Sequence, residues 1–352
     1  MPRFWTETVN RLTPYVPGEQ RSGDNIVKLN TNENPYPPSP HVMQAMHAVD
    51  GHQLRRYPDP ESVELRNALA DHHEVGVENV FVGNGSDEIL ALAFLAYFTD
   101  GRALQYPDIT YSFYPVYCDL YGIASRTISL EDDFTLPLEH FIPNGGSIIF
   151  PNPNAPTAIA TPVESIGQLL NVHTEQIVLI DEAYADFGAQ SVIPLIRDYP
   201  NLLVSHTFSK GRSLAGMRLG VAFGDASLIE GLQRVKNSFN SYPVDVLAQA
   251  AGCASIEDDK YYRNTVQAII ETREWTISEL EKRGFDVLPS AANFVLARAP
   301  GNSAAQLFER LSHAGVLVRY WNKPRLASWL RISIGTPQDM QTLIATIDDS
   351  YY

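Results

Sequence analysis

The sequence predicts an α/β protein, with a mostly parallel sheet sandwiched by helices and a smaller α+β domain after it. Three observations carry that expectation. From about residue 61 to residue 235, short apolar runs alternate with helix-length amphipathic segments, the signature of strands joined by helical crossovers. A long charged segment, 259–283, then breaks the rhythm. Beyond it strands and helices follow in a different order, as in a smaller mixed layer. The 352 residues suffice for one large or two ordinary domains with substantial cores.

Taken in order, the first 40 residues hold Pro14, Pro17, Pro35, Pro37, Pro38 and Pro40. Proline removes a backbone donor and fixes φ, so this stretch reads as an irregular arm laid over another surface. Residues 61–73 read as a helix, 80–82 as a strand, 86–97 as an apolar-rich helix, 102–105 as a strand and 112–121 as a helix. Strands are expected at 147–150, 177–180, 202–204 and 219–223, with helices at 162–172 and 228–235 between them. The segment 259–283 reads as one helix. Strands at 285–288, 293–297, 316–318 and 330–334 and helices at 303–314 and 337–348 complete the chain. The expected division is an arm, 1–40, touching the small domain and a dimer partner; a large domain, 41–280; and a small C-terminal domain, 281–352.

Composition excludes several classes of function. Hydrophobic residues make up 44 % and charged residues 19 %, the balance of a globular enzyme. A net charge of −15 would repel nucleic-acid phosphates, so no nucleic-acid partner is expected. The longest apolar stretch, 89–98, is too short to span a bilayer, so no membrane partner is expected either. The two cysteines, Cys118 and Cys253, form no C-x-x-C pair and no disulfide framework, and no metal site is expected. Residues 1–10 lack the apolar core of a secretory signal, which leaves the cytoplasm as the expected compartment.

One stretch concentrates chemistry. Thr207-Phe208-Ser209-Lys210-Gly211-Arg212-Ser213-Leu214-Ala215-Gly216-Met217-Arg218 sets a lysine among small residues, a hydroxyl beside it and an arginine eight residues on. A lysine amine condenses with an aldehyde, while a hydroxyl and a guanidinium hold a phosphate dianion. Upstream, the apolar run Val178-Leu179-Ile180 ends in Asp181 and delivers a carboxylate at a strand tip. Aldehyde, phosphate and a pyridine nitrogen that wants a carboxylate partner all belong to pyridoxal 5'-phosphate (PLP). Gly85-Ser86-Asp87 opens a helix, where free backbone N–H groups favour an anion.

The segment 207–216 resembles the lysine signature of fold type I PLP-dependent aminotransferases, in their class II branch. A wider set runs in the same order as in the histidinol-phosphate aminotransferase subfamily. It comprises Leu12-Thr13-Pro14-Tyr15, Leu29-Asn30-Thr31-Asn32-Glu33-Asn34-Pro35, Arg56-Tyr57-Pro58-Asp59, Asp181-Glu182-Ala183-Tyr184 and Leu330-Arg331-Ile332-Ser333-Ile334-Gly335-Thr336. The resemblance covers nearly the whole chain. It implies that Lys210 holds the cofactor and moves a proton, that Asp181 pairs with its ring nitrogen, and that Tyr184 donates to its phenolic oxygen. It implies a phosphate cup of Gly85, Ser86, Asp87, Thr207, Ser209 and Arg218, with Tyr111 stacked on the ring. It implies that Tyr57 reaches the cofactor of the other subunit of a homodimer, and that Arg331, with Tyr15 and Arg319, binds the substrate anion. Where the family often reads Asn-Asn-Pro-Thr-Gly, this chain has Asn154-Ala155-Pro156-Thr157-Ala158. Asn154 therefore stands one place early for the cofactor contact.

The activity so implied is transamination of histidinol phosphate with 2-oxoglutarate, giving imidazole acetol phosphate and L-glutamate in histidine biosynthesis. Two rivals share most of the pattern: an aromatic amino acid aminotransferase, and a PLP lyase such as threonine-phosphate decarboxylase, which would release CO₂.

Overall fold

In the computed structural model, residues 2–15, 18–21, 23, 26–302 and 304–350 are described; Pro17 of the arm and Ser303, expected to open a helix, lie outside them. The arm contributes α1 (Glu7–Arg11) and β1 (Val27–Lys28). Then come α2 (Pro40–Ala48), α3 (Gly51–Leu54), α4 (Val63–His73), β2 (Val80–Gly83), α5 (Gly85–Tyr97), β3 (Leu104–Pro107), α6 (Phe113–Tyr121) and β4 (Ser125–Ile128). The chain continues through β5 (Ile148–Pro151), α7 (Val163–Val172), β6 (Val178–Asp181), β7 (Leu202–Thr207) and β8 (Gly220–Gly224). Three helices follow: α8 (Ala226–Phe239), α9 (Val246–Glu257) and α10 (Asp259–Lys282). Last are β9 (Asp286–Val287), β10 (Phe294–Arg298), α11 (Ala304–His313), β11 (Val316–Leu317), β12 (Arg319–Tyr320), β13 (Trp329–Ser333) and α12 (Pro337–Ser350).

The main sheet has seven strands in the order β2-β8-β7-β6-β5-β3-β4. Only β8 runs against its neighbours; the other pairings are parallel. The strands read as continuous apolar runs because both faces are covered. Phe81, Ile149, Leu179, Leu203 and Ala222 point into one core with Ile89 and Phe94 of α5 and Leu232 of α8. Their neighbours Val82, Ile148, Ile180, Val204 and Val221 point into the other, against α2, α4, α7 and α9. Each such fully buried side chain contributes about 1.5–3 kcal/mol of transfer free energy.

A second sheet, β12-β13-β10-β9, is antiparallel throughout. Its core gathers Ile269 and Leu280 of α10, Leu307 of α11, Leu343 of α12 and Leu29 of the arm.

The expected alternation appears with small shifts of element ends, and several things differ from the sequence reading; among them, α3 and β12 have no counterpart in it, and the strand expected at 316–318 ends at Leu317. The arm is not wholly irregular: Thr6 caps α1, accepting from Val9 N–H, and β1 pairs in parallel with β11 nearly 290 residues away. That pairing is nonlocal, so no local pattern announces it. Helices α2 and α9 were not anticipated. Ser39 caps α2 with Pro40 at its first position, a start signal hidden among the prolines. The residues of α9 are small and lack a clear apolar stripe. The edge strand β4 is mostly exposed and lacks an apolar run.

Six strands that run the same way end at one edge of the main sheet, the edge where open α/β sheets bind ligands. Access there depends on close backbone approach. A Cβ on Gly220 of β8 would lie 2.4 Å from the carbonyl carbon of Gly85 and 2.5 Å from Ser86 N. Backbone cannot yield as a side chain does. Gly220→Ala is therefore expected to destabilise by about 1–3 kcal/mol in urea unfolding. The control Gly51→Ala, with nothing near its added methyl, is expected to be neutral or slightly stabilising. Equal stability of the two variants would show that the start of α5 shifts freely away from β8.

Candidate active site

Strand β6 ends in Asp181, whose carboxylate is 4 % exposed. Ser205 Oγ donates to its Oδ1 at 3.0 Å, Tyr114 OH donates to Oδ2 at 3.3 Å, and Ala183 N–H donates to Oδ1 at 3.3 Å. None of these donors is a cation. Burial dominates and pushes the carboxyl up to about 6, although the hydrogen bonds pull the other way.

The loop after β7 carries Lys210. Its Nζ donates to Thr31 O at 3.1 Å and lies 5.7 Å from the centre of the Tyr184 ring. Asn34 Nδ2 ties the loop down by donating to the carbonyls of Lys210 and Gly211. Thr207 Oγ1 accepts from Ser209 N–H at 3.1 Å, so both hydroxyl residues shape the loop from inside. Tyr184 is buried, takes a hydrogen bond from Asn32 Nδ2 at 3.1 Å, and meets Phe294 edge-on.

A second group forms at the start of α5. Arg218 Nη2 lies 3.0 Å from Asp87 Oδ2, and Tyr111 OH donates to Asp87 Oδ1 at 3.0 Å. Gly85 has φ +79, and an added Cβ would sit 2.7 Å from Arg218 Nη2. A side chain there would both strain the backbone and fill the space beside the guanidinium. Ser86 follows in the first turn of α5. Arg218 itself has φ 52, an uncommon backbone setting for a side chain of its size.

The third group lies on the small sheet. Arg331 of β13 and Arg319 of β12 are directly opposed across the ladder. Arg331 Nη2 donates to Asn30 O at 2.7 Å, while its Nε is buried without a partner. Its guanidinium lies over Phe294 and Trp321, at 5.3 and 5.4 Å from the ring centres. Burial lowers its affinity for the proton, as does Arg319, against the raising influence of Tyr184, Tyr15 and Tyr111. Tyr15 packs on Phe113 with ring centres 4.6 Å apart.

Two residues fall outside this convergence. Tyr57 is 81 % exposed and stacks on Tyr242, away from the cluster within its own chain. Asn154 Nδ2 donates to Ile109 O and Thr157 Oγ1, both at 3.0 Å, and its Oδ1 is buried without a partner. The Ile109 carbonyl accepts only, which fixes the amide's orientation. Both amide hydrogens are committed, so a donor role toward a cofactor oxygen finds no support here.

The sequence reading assigned no role to Asn32, Asn34, Tyr114, Ser205 or Trp321. Asn32 and Asn34 belong to the Asn-rich arm motif, and Asn32 has φ 55, so its backbone is held in a sparsely used region. Nothing local distinguishes Tyr114 or Ser205 from ordinary core residues. Their role follows from lying beside Asp181 in space.

The family model for aminotransferase class I and II matches residues 24–347. The chain belongs to this family. It is 51 % identical over 344 residues to histidinol-phosphate aminotransferase 1 of Pseudomonas aeruginosa, covering 98 % of each chain. It is 50 % identical over 349 residues to histidinol-phosphate aminotransferase of Acetobacter pasteurianus, covering 99 % of this chain and 98 % of that one. The crystal structure of histidinol-phosphate aminotransferase from Sinorhizobium meliloti, in complex with pyridoxal-5'-phosphate, superposes with a TM-score of 0.90 at 25 % identity, covering 99 % and 97 % of the two chains. The fold is that of the fold type I aminotransferases.

PLP fits the residues of this aminotransferase. Asp181 is a buried carboxylate lacking a cation, and the cofactor's ring nitrogen supplies one. The space that glycine keeps open beside Arg218 suits an anion at a helix start. The Lys210 amine lies close to the face of the Tyr184 ring.

The raised carboxyl has a thermodynamic consequence. A group whose folded pKa exceeds its unfolded value binds its proton more tightly when folded. Stability then falls as pH rises from about 4 through about 6. Glu182, also buried and pushed up to about 7, extends the fall upward. In the cofactor-free protein, Asp181→Asn is expected to remove about 2–3 kcal/mol of that pH-dependent loss in urea titrations. Glu182→Gln should remove the part that runs from about 4.5 through about 7. An unchanged pH profile in Asp181→Asn would show that water already reaches the carboxylate.

Proposed function

We propose that this aminotransferase moves the amino group of histidinol phosphate to 2-oxoglutarate, giving imidazole acetol phosphate and L-glutamate, with PLP as cofactor. The observation that carries the reading is identity at about half of all positions, over nearly the full chain, to histidinol-phosphate aminotransferases. The part-buried Arg331, with a buried, unpartnered Nε and Arg319 opposite, supports an anionic substrate. No carboxylate faces Arg331 among the groups that act on it.

When bound, PLP supplies an electron sink for the carbon that bears the amino group. Asp181 holds the ring nitrogen in its protonated form through an ion pair and is itself oriented by Ser205 and Tyr114. Lys210 would hold the cofactor through its aldehyde, and its amine, once displaced by the substrate's amino group, would be free to move a proton at the substrate carbon. Tyr184, set by Asn32, donates to the phenolic oxygen. Arg218 and the start of α5, Gly85-Ser86-Asp87, bind the phosphate with Ser209 and Thr207. Bound phosphate would compete with Asp87 for Arg218, so the Asp87 carboxylate acts as the cup's placeholder. Tyr111 covers the ring. Arg331 binds the substrate's phosphate or carboxylate, aided by Tyr15 and Arg319.

The reading includes a homodimer. Exposed Tyr57, Leu54, Phe239 and Tyr242 support a partner on that face, with Tyr57 reaching the partner's cofactor. It also includes the arm, 1–40, as a cover at that contact, a large unit, 41–280, and a small unit, 281–352. A cytoplasmic location is supported by the acidic, cysteine-poor composition. No helix of the described residues is long and apolar enough to cross a membrane.

Purified protein given histidinol phosphate and 2-oxoglutarate is expected to form L-glutamate without CO₂, and borohydride reduction should label Lys210. Lys210→Ala should retain the cofactor through the phosphate cup and lose turnover. CO₂ without glutamate, or phenylalanine reacting while histidinol phosphate stays inert, would transfer the assignment to a rival. Subunit mixing gives a separate test. Inactive Tyr57→Ala and inactive Lys210→Ala are expected to regain partial activity when combined, since a mixed dimer holds one intact site. No recovery despite measured subunit exchange would place Tyr57's action within its own chain.

A further inference from the structure

Tyr184 has one hydrogen to give, and its neighbours decide where it goes. Its hydroxyl accepts from Asn32 Nδ2 at 3.1 Å. A phenol holds two lone pairs and one O–H, so accepting from Asn32 leaves the O–H free for another acceptor. Reversal of the Asn32 amide would set its Oδ1 there instead, and that oxygen would take the Tyr184 hydrogen. Strand β13 holds the amide against reversal. Ser333 Oγ accepts from Asn32 N–H at 2.9 Å and donates to Asn32 Oδ1 at 2.7 Å. With the amide reversed, the serine hydrogen would lose its acceptor in a buried place, which is costly. Asn293 Nδ2 donates to Asn32 O at 3.0 Å, so the backbone of Asn32, at φ 55, is pinned as well. Asn32, Ser333 and Asn293 are all buried, which strengthens these hydrogen bonds and keeps water from replacing them.

From this geometry we infer that Ser333, acting through the Asn32 amide, is a positioning residue that reserves the Tyr184 hydroxyl hydrogen for the cofactor's phenolic oxygen. The inference rests on the proposed reading that Tyr184 donates to that oxygen. The arrangement carries weight in this chain because nothing nearby backs Tyr184 up. Asn154 commits both amide hydrogens to its own loop, and Ala155 has no side-chain donor. A hydroxyl that already accepts a hydrogen bond is also polarised into a better donor. Ser333 lies two residues beyond Arg331 on β13 and shares its face of the strand. The strand that presents Arg331 thus also sets Tyr184.

The test reads the bound cofactor rather than turnover. A donor to the phenolic oxygen stabilises its negative charge, so the proton on the nitrogen joining Lys210 to the cofactor leaves at lower pH. Absorbance of the cofactor-loaded enzyme, titrated with pH, reports that pKa. Tyr184→Phe is expected to raise it by about 1–2 pH units, a charge-assisted hydrogen bond expressed as a pKa. Ser333→Ala is expected to raise it by roughly half as much. Ser333→Cys, close in size but a weaker donor, should raise it by a smaller, measurable amount, and Ser333→Thr, which keeps the hydroxyl, should stay near wild type. In a Tyr184→Phe background Ser333→Ala should add nothing, since no hydrogen is left to direct. Lys210, Arg331, Tyr111 and Tyr114 are the titratable neighbours of Tyr184, and none of these substitutions changes their charge. Thermal melting checks that each variant folds, and Ser333→Cys carries the test if Ser333→Ala does not. Suppose Tyr184→Phe shifts the titration. Folded Ser333 variants that leave it unmoved, or a Ser333→Ala shift that persists without the Tyr184 hydroxyl, would then overturn the inference and leave the Tyr184 reading standing. An unmoved titration in Tyr184→Phe would overturn that reading and the inference with it.

Discussion

The Asp181 carboxylate lies at the tip of a fully buried strand, and the site is organised around keeping it there. An isolated carboxylate in such surroundings tends to take up a proton, and here burial outweighs three hydrogen bonds. Ser205 from the neighbouring strand and Tyr114 from α6 hold its two oxygens. The strand that supplies Ser205 continues into the Lys210 loop. The segment after Asp181 supplies Tyr184, whose hydroxyl meets Asn32 of the arm. One buried carboxylate thus links the main sheet, the lysine loop and the arm.

The arm shows how a segment without regular structure becomes essential to a site. Two of its carbonyls accept from candidate site side chains, Asn30 O from Arg331 and Thr31 O from Lys210, and the Asn34 amide donates to the main-chain carbonyls of the lysine loop. Its short strand β1 pairs with β11 of the small layer. The arm therefore bridges the two sheets at the point where their ligands converge. Its prolines suit that path, since a chain that donates few backbone hydrogen bonds loses little by lying across other elements.

The phosphate cup and the anion pocket solve the same problem in different ways. Arg218 is half exposed and balanced by Asp87, an arrangement that water and ions can enter. Arg331 is part-buried and faces another arginine, with the rings of Phe294 and Trp321 against its guanidinium. The first suits a cofactor that stays. The second leaves the Arg331 Nε without a partner, a donor that an anionic ligand could take.

By itself, the sequence determined the buried strands of the large sheet, because both faces of those strands are covered and the apolar runs are continuous. It also singled out Lys210, Asp181, Gly85 and Arg218 as candidates, because reactive residue types at fixed distances along the chain mark strand tips and helix starts whatever the packing. Tertiary structure decided what depends on distant partners: the pairing of β1 with β11, helix α9 with its small residues, and the cross-strand meeting of Arg319 with Arg331 beside Trp321. It also decided that Asn154 commits both amide hydrogens to its own loop and that Tyr57 points out of its own chain. A hydrogen bond or a cation over a ring is a relation between residues far apart in sequence, and neither partner's local pattern encodes the distance between them.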